Sequence, residues 1–240
     1  DEVDTKLYNC DDERLFVVYE ALKRGISCEH IHEITKIDLW FLYKLQNLVC
    51  LQKRLETEPL TKELYRAAKK YGFLDSSIQK LSGQALPMRM KAAYKMVDTC
   101  GAEFDAQTPY FYGTFDEEDE AGEFIRAKHS DRKTVIVFGS GPIRIGQGIE
   151  FDYASVHCVW ALKKAGFDVV IINNNPETVS TDFNTADRLY FEPLTPEDVM
   201  HVIEVEKPYG AVVAFGGQTA IKLTKHLEKE CVHIIGTSGD

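Results

Sequence analysis

Four short apolar runs in the second half of the chain constrain its fold more than any other feature. They are rich in Val, Ile and Phe, and they occupy residues 134–138, 168–172, 188–191 and 211–215. Runs of this kind indicate strands that are buried on both faces of a sheet. Helices predicted over residues 150–165, 195–206 and 218–229 alternate with them, and a last short strand is expected at 232–235. This alternation predicts a Rossmann-like α/β domain with a parallel sheet and right-handed crossovers.

The first 115 residues carry a different pattern, which is typical of helices. Ser27, Asp38 and Thr61 each precede a segment with helical apolar spacing, so we predict that they cap helices. Further helices are expected over residues 14–23, 76–81 and 88–100. The sequence therefore predicts an all-α domain over residues 1–115.

The segment between the two patterns is aromatic and then strongly acidic. Residues 107–115 hold several aromatic side chains and are expected to pack as an irregular strap. Residues 116–120 read DEEDE, and because like charges repel, such a run is expected to stay solvated. We therefore predict an exposed linker over residues 116–131 and an α/β domain over residues 132–240.

Charge and cysteine content exclude several classes of function. The formal net charge is −10, and −9 of it falls on residues 116–240, so the chain lacks the basic surface that non-specific nucleic-acid binding needs. No two of its six cysteines have C-x-x-C spacing, and the histidines of the second half show no metal-ligand spacing. No metal site is expected. No apolar stretch reaches about 18 residues, so no membrane span is expected either.

A glycine-rich loop, GSGPIRIGQG, follows the first predicted strand at residues 139–148. A dinucleotide-binding G-x-G-x-x-G loop would need glycine where Arg144 stands, and a Walker loop would need Gly-Lys-Ser/Thr. At the end of the second strand, where an acidic ribose ligand would be expected, the sequence has Asn173, Asn174 and Asn175. The glycines still allow close approach of the backbone to a ligand, although a tight turn without a ligand is the alternative.

Two further loops follow the second and fourth predicted strands. Residues 173–182 (NNNPETVSTD) concentrate amide, carboxylate and hydroxyl groups, and residues 215–219 (FGGQT) place paired glycines at a helix N-terminus, which favours negative charge. Plainer explanations are an Asx-type turn for the former and close helix packing for the latter. Because the carboxyl ends of parallel strands meet at one edge of a sheet, all three loops are predicted to lie at a ligand-binding edge.

Read together, these loops resemble a known family. The stretches GSGPIRIGQGIEFDYASVH, NNNPETVSTDFNTADRLYFEPLTPEDV, EKPYGAVVAFGGQTAIKL and IIGTS are similar to the second synthetase half of carbamoyl-phosphate synthase large subunits. The stretches EALKRGISCEHIHEITKIDLWFLYKLQNLV and YKMVDTCGAEFDAQTPYFYGTF resemble the oligomerization domain of the same enzymes. The resemblance covers essentially the whole chain and implies a fold of the pre-ATP-grasp type for the α/β domain. It also implies that the helical domain of residues 1–115 is incomplete at its N-terminus.

The resemblance also implies a function and a set of site residues. The family makes carbamoyl phosphate from bicarbonate, ammonia derived from glutamine, and two ATP, in two homologous halves joined by a helical domain. It belongs to arginine and pyrimidine biosynthesis, and a tunnel carries carbamate between its sites. By match to GQGIE and NPET, the residues implied to line this passage are Gly148, Glu150 and Glu177. Second-rank candidates without a separable role are Arg144, Asn173, Asn175, Thr178 and Gln218.

Cofactors and partners follow from the same resemblance. The full-length parent is expected to use ATP with Mg²⁺ or Mn²⁺, and K⁺, whereas this segment is expected to bind none of them and to be catalytically inactive alone. Expected partners are a small glutaminase subunit, or a fused glutaminase domain, and further copies of the helical domain. The expected location is cytoplasmic, or mitochondrial for a eukaryotic parent of the urea-cycle type.

Three other interpretations of the residues stay open. The chain could be a non-catalytic assembly module. It could be a regulator, with a helix-turn-helix over residues 27–49, although the second helix presents Leu39, Trp40 and Phe41 rather than side chains that read base edges. It could also be a Rossmann-type oxidoreductase, which would need the glycine fingerprint and acidic residue that are absent.

Overall fold

A computed structural model describes residues 2–128, 130–139 and 149–236 of the chain. It divides into two compact units, residues 1–90 and residues 91–240. The first unit is helical and the second contains a six-stranded sheet.

The helical unit consists of short helices that begin at the predicted capping residues. Ser27 accepts a hydrogen bond from the backbone N–H of His30 at 3.2 Å, and Thr61 accepts one from Leu64 at 3.2 Å. Asp38 caps the longest helix in the same way. The helices are α1 (Glu2–Tyr8), α2 (Arg14–Lys23), α3 (Cys28–Thr35), α4 (Leu39–Thr57), α5 (Lys62–Lys70) and α6 (Asp75–Ser82).

Two apolar clusters hold this unit together. One lies among α1 to α4 and centres on buried Leu7, Ile31 and Leu42. The other joins the end of α4 to α5 and α6, with Leu55 and Tyr65 fully buried. The amphipathic spacing seen in the sequence therefore corresponds to packed helix faces.

The second unit is built on a sheet with the strand order β1-β2-β5-β4-β3-β6. Strand β1 is antiparallel to β2, and every other neighbouring pair is parallel. The strands are β1 (Ala93–Met96), β2 (Tyr110–Thr114), β3 (Thr134–Phe138), β4 (Asp168–Asn173), β5 (Arg188–Phe191) and β6 (Gly210–Val212). The predicted α/β class with a mostly parallel sheet is confirmed.

Helices cover both faces of this sheet. Helix α8 (Ile149–Lys164) packs on one face through residues such as Val159. The opposite face is covered by α7 (Glu120–Ala127), α9 (Pro196–Glu206), α10 (Gly217–Ile221) and α11 (Thr224–Lys229). Burial on both faces explains why the parallel strands read as continuous apolar runs.

Three predictions about residues 88–131 were wrong. The helix expected over 88–100 is absent, because residues 93–96 form strand β1. The irregular strap expected over 107–115 is strand β2, whose Phe111 is fully buried beside Tyr190 of β5. The expected linker over 116–131 contains α7, whose Ala121 is buried in the core. Because β2 pairs with β5, these residues belong to the α/β unit, and the compact units divide after Met90 rather than near residue 115.

The last part of the chain is less regular than predicted. The helix expected over 218–229 is interrupted between α10 and α11 at residues 222–223. The strand expected over 232–235 forms only an isolated bridge, in which Ile234 pairs with Ala211 of β6.

Candidate functional site

The strands β3, β4 and β6 end at one edge of the sheet, and this edge includes the point where the chain order of the strands reverses. After β3 the chain passes through α8 to β4 and β5 on one side, and then returns through α9 to β6 on the other side of β3. Helices α8 and α9 lie on opposite faces of the sheet, so the carboxyl ends of β3 and β6 border a topological switch point. Ligands of open α/β sheets bind at such a point.

The loop after β3 lies largely outside the described residues. Its first residue, Gly139, donates its backbone N–H to the carbonyl of Ile172 at 3.0 Å. Two predicted site residues, Arg144 and Gly148, fall within the part that is not described. The next predicted residue, Glu150, lies in the first turn of α8 with an exposed side chain. A carboxylate in this position is stabilised by the helix dipole.

The loop after β4 is held together by its own asparagines. Asn173 is fully buried, and its Oδ1 accepts the backbone N–H of Asn175 at 3.0 Å. The Oδ1 of Asn175 in turn accepts the backbone N–H of Glu177 at 3.0 Å. These are successive Asx turns. They give Asn173 and Asn175 structural roles in presenting Glu177, whose side chain is exposed.

The next residues form a single 3₁₀ turn with reciprocal caps. The hydroxyl of Thr181 donates to the carbonyl of Thr178 at 2.7 Å, and it also accepts the Thr178 backbone N–H at 3.3 Å. Tyr110 of β2 donates its phenol hydroxyl to the carbonyl of Thr181 at 2.6 Å. Burial, followed by the charge of Asp182, raises the pKa of Tyr110. Strand β2, which the sequence interpretation missed, therefore braces this loop from the side.

An open groove of about 650 Å³ runs beside the loop. Its charged lining residues are Glu177 and Asp182, and its hydroxyl groups come from Tyr110 and several threonines, including Thr178. The remaining described walls include Pro176, Val179 and Phe183. The groove combines hydrogen-bond acceptors with hydroxyl groups, which suits a small polar ligand that carries N–H donors.

The glycines after β6 are required by packing. A Cβ atom on Gly216 would lie 2.7 Å from the carbonyl oxygen of Phe138 and 2.3 Å from Cβ of Ala220. Gly217 has a φ of +65°, and Gln218 is exposed on α10. Helix α10 spans five residues, so it offers a weaker anion site than the long helix that was predicted.

Two buried polar residues of α8 were missed by sequence reasoning. Asp152 accepts the backbone N–H of Ser180 at 2.9 Å. Ser155 donates its hydroxyl to the carbonyl of Phe151 at 3.0 Å and approaches that of Phe215 at 3.4 Å. Helix α8 is thereby joined to the loops after β4 and β6. The one sequence signal was their position, on the side of α8 that also carries Val156 and Val159.

A third missed residue is Glu192, which follows β5 at the same edge of the sheet. Its carboxylate accepts the backbone N–H of Gly113 and is 8% exposed. Burial raises the pKa of Glu192 to about 7, against the lowering effect of the Gly113 hydrogen bond, and the charge of Asp198 raises it further. Side chains alternate between the two faces of a sheet, and Tyr190, two residues earlier, lies on the face opposite α8. Glu192 therefore lies on that face, away from Asp152.

No cluster of three or more potential metal-binding side chains occurs among the described residues. Within the same residues, no helix is both long and apolar enough to cross a bilayer.

The fold and the site define a class of protein: a helical module followed by a Rossmann-like domain that carries polar loops at the carboxyl ends of its strands. Residues 131–240 match the family model described as carbamoyl phosphate synthase preATP-grasp domain, and residues 1–100 match the oligomerisation domain of carbamoyl-phosphate synthetase large chain. The chain therefore belongs to the carbamoyl phosphate synthase large-chain family.

Two curated relatives show how much of that family the chain represents. Along its whole length the chain is 55% identical to the carbamoyl phosphate synthase large chain of Lachnoclostridium phytofermentans and to that of Agathobacter rectalis. It spans 23% of the length of each relative.

Proposed function

We propose that the chain is a segment of an ATP-dependent ligase that makes carbamoyl phosphate from bicarbonate, ammonia derived from glutamine, and two ATP. In this proposal the segment joins the two synthetase halves, supports assembly and lines the passage for carbamate. The observation that carries it is the 55% identity along the whole chain to two large chains of that enzyme.

The exposed carboxylates at the edge formed by the carboxyl ends of the strands support the proposed carbamate passage. Glu150 and Glu177 present exposed carboxylates from a helix N-terminus and from the loop after β4. Within the part of the chain that the structure describes, neither carboxylate has a hydrogen-bond or ion-pair partner that would occupy it. Carbamate carries N–H donors that such acceptors can bind. We propose that the small size of Gly148 leaves room for carbamate in this passage. Arg144 and Gln218 are second-rank contributors in this proposal.

Nucleotide and metal binding belong, in this proposal, to other parts of the longer protein. The described residues offer no cluster of metal ligands, and the glycine-rich loop lacks the lysine of a Walker motif. ATP with Mg²⁺ or Mn²⁺, and K⁺, would serve the whole enzyme. We expect the segment alone to show no bicarbonate-dependent ATP hydrolysis.

Assembly is the second role that we propose. The helical unit exposes large apolar side chains, including Phe16 at 73% and Trp40 at 59% of their surface. Exposed aromatic groups of this size are typical of interfaces. We propose that they contact further copies of the unit, and that a glutaminase subunit or domain binds elsewhere on the longer protein. Both relatives come from bacteria, which favours a cytoplasmic location over a mitochondrial one.

The passage is tested in the longer protein with Glu150→Gln and Glu177→Gln. Each change removes an acceptor charge with little change in size. We expect the carbamoyl phosphate formed per ATP hydrolysed to fall, while bicarbonate-dependent ATP hydrolysis continues. Glu230→Gln, which removes an exposed carboxylate remote from these loops, is the matched control. An unchanged product ratio in both variants would contradict the passage.

A non-catalytic assembly module is the second candidate, and the exposed aromatic side chains of the helical unit favour it. Sedimentation of the 240-residue chain at tens of micromolar tests self-association, with Phe16→Ser and Trp40→Ser as variants. A strict monomer would count against the assembly role and would leave the passage to be decided by the product ratio.

A further inference from the structure

Asp152 is buried where its neighbours on α8 are exposed. Glu150 and Tyr153 point to solvent, yet Asp152 is 4% exposed. Burying a carboxylate is unfavourable unless hydrogen bonds compensate it. The first turn of a helix lowers that cost through the helix dipole, and Oδ2 of Asp152 accepts the backbone N–H of Ser180 at 2.9 Å.

A continuous relay of hydrogen bonds leads from Asp152 to the backbone of Glu177. Ser180, held by Asp152, accepts at its hydroxyl oxygen the side-chain Nδ2–H of Asn173 at 3.1 Å. Asn173 accepts the Asn175 N–H at 3.0 Å, and Asn175 accepts the Glu177 N–H at 3.0 Å. The relay begins at buried residues and ends at the exposed Glu177.

Gly139, which follows strand β3, leaves room for the side chain of Asn173. A Cβ atom on Gly139 would lie 2.8 Å from Nδ2 of Asn173 and 3.2 Å from its Cγ. The buried amide therefore packs directly against the end of β3, and it has little freedom to move away from Ser180. Two strand ends and one helix fix the geometry of the relay.

We propose that Asp152 is the positioning residue of the site: through the relay it fixes Glu177 relative to Glu150, which lies on the same helix. The role at the carbamate passage rests on the proposed function, whereas the relay itself does not. Asp152 touches no substrate in this scheme. It acts by holding the loop after β4 against the helix that carries the other carboxylate.

Backbone amide exchange in the 240-residue chain tests the relay. Asp152→Ala removes the acceptor at its origin, and the amides of Ser180 and Glu177 are expected to exchange about ten- to a hundredfold faster. Asp152→Asn keeps an acceptor oxygen of the same size and is expected to restore slow exchange. A purely electrostatic role would not be rescued by Asn.

Two further variants make the order of the relay testable. Asn175→Ala breaks only the last link, so Glu177 is expected to exchange faster while Ser180 stays protected. Ser155→Ala removes a buried hydroxyl one turn away on α8 that is not in the relay, so neither amide should change. Unchanged exchange in Asp152→Ala would overturn the inference, as would an equal acceleration at every amide of the α/β unit or a failure of Asn to rescue.

The functional half is tested in the longer protein by the carbamoyl phosphate formed per ATP hydrolysed. Asp152→Ala is expected to lower this ratio several-fold, and Asp152→Asn to restore it. If Glu150→Gln or Glu177→Gln lowers the ratio but Asp152→Ala does not, the positioning role fails and the passage stands. If none of the three variants lowers it, the proposed passage itself fails, and amide exchange still decides whether the relay exists.

Discussion

The buried carboxyl of Glu192 makes the stability of the α/β unit depend on pH in an unusual direction. Burial, opposed by the Gly113 hydrogen bond and reinforced by Asp198, raises its pKa from 4.5 to about 7. A raised carboxyl pKa means that the fold favours the neutral form. The stabilising contribution is therefore complete below the unfolded pKa and is lost as pH rises through the folded pKa near 7. At about 1.4 kcal/mol per pKa unit, the full swing is roughly 3 kcal/mol.

Glu192→Gln removes this dependence, because the amide stays neutral and its oxygen can still accept the Gly113 N–H. We expect parent and variant to have similar stability near pH 4, and the variant to be more stable by up to roughly 3 kcal/mol at pH 8. In a Trp40→Phe background, Trp160 is the sole tryptophan and reports urea unfolding of the α/β unit. Glu230→Gln controls for the loss of one charge. A difference between parent and Glu192→Gln that stays constant from pH 4 to 8 would refute the reasoning.

Three further predictions concern packing and capping. The buried guanidinium of Arg188 bonds both carboxylate oxygens of Glu206 at 2.8–3.1 Å. Glu206→Gln removes its counter-charge, so the free energy of urea unfolding should fall by about 3–5 kcal/mol. A fall of less than about 1 kcal/mol would contradict a buried ion pair. Gly216→Ala forces a methyl group against the Phe138 carbonyl, and calorimetry should report a loss of about 1–3 kcal/mol, whereas an unchanged melting temperature would refute the close approach. Thr61→Ala removes the N-cap of α5 and should destabilise the helical unit by about 1 kcal/mol, with Thr61→Ser retaining most of the stability.

The parts of the fold that local patterns determine could be predicted from the sequence. Ser27, Asp38 and Thr61 cap helices where capping residues precede apolar periodicity. The four apolar runs form β3 to β6, because Val and Ile side chains are buried on both faces of a parallel sheet. These features depend on neighbours within a few residues along the chain.

The parts that were missed depend on distant partners. Tyr110 and Phe111 of β2 pair with Leu189 and Tyr190 of β5, far along the chain. Without that partner, an aromatic segment has no feature that distinguishes a strand from an irregular strap. Helix α7 was missed for a similar reason, since a run of acidic residues obscures the short apolar face that carries Ala121 and Phe124.

The site shows the same division between local and distant information. The sequence predicted Glu150 and Glu177 as site residues by their position after strands and by family motifs, and their role stays a prediction. Both are exposed and lie at the edge formed by the carboxyl ends of the strands. It did not identify Asp152, because an acidic residue in a first helical turn ordinarily faces solvent. Its burial arises only when the loop that contains Ser180 folds over α8.

The asparagines after β4 argue against dinucleotide binding for a stronger reason than the absence of an acidic residue that would bind the ribose. Asn173 uses both ends of its amide, since Nδ2 donates to Ser180 and Oδ1 accepts from Asn175, and it is fully buried. An aspartate there could not donate, and its charge would be buried without a counter-charge. At the position where dinucleotide-binding folds bind a ribose, the side chain of Asn173 instead holds the loop in shape. Under the proposed function, the carboxylates that would bind the ligand are those of Glu150 and Glu177. Both are exposed, and the backbone of Glu177 is held by the Asx turns of the loop.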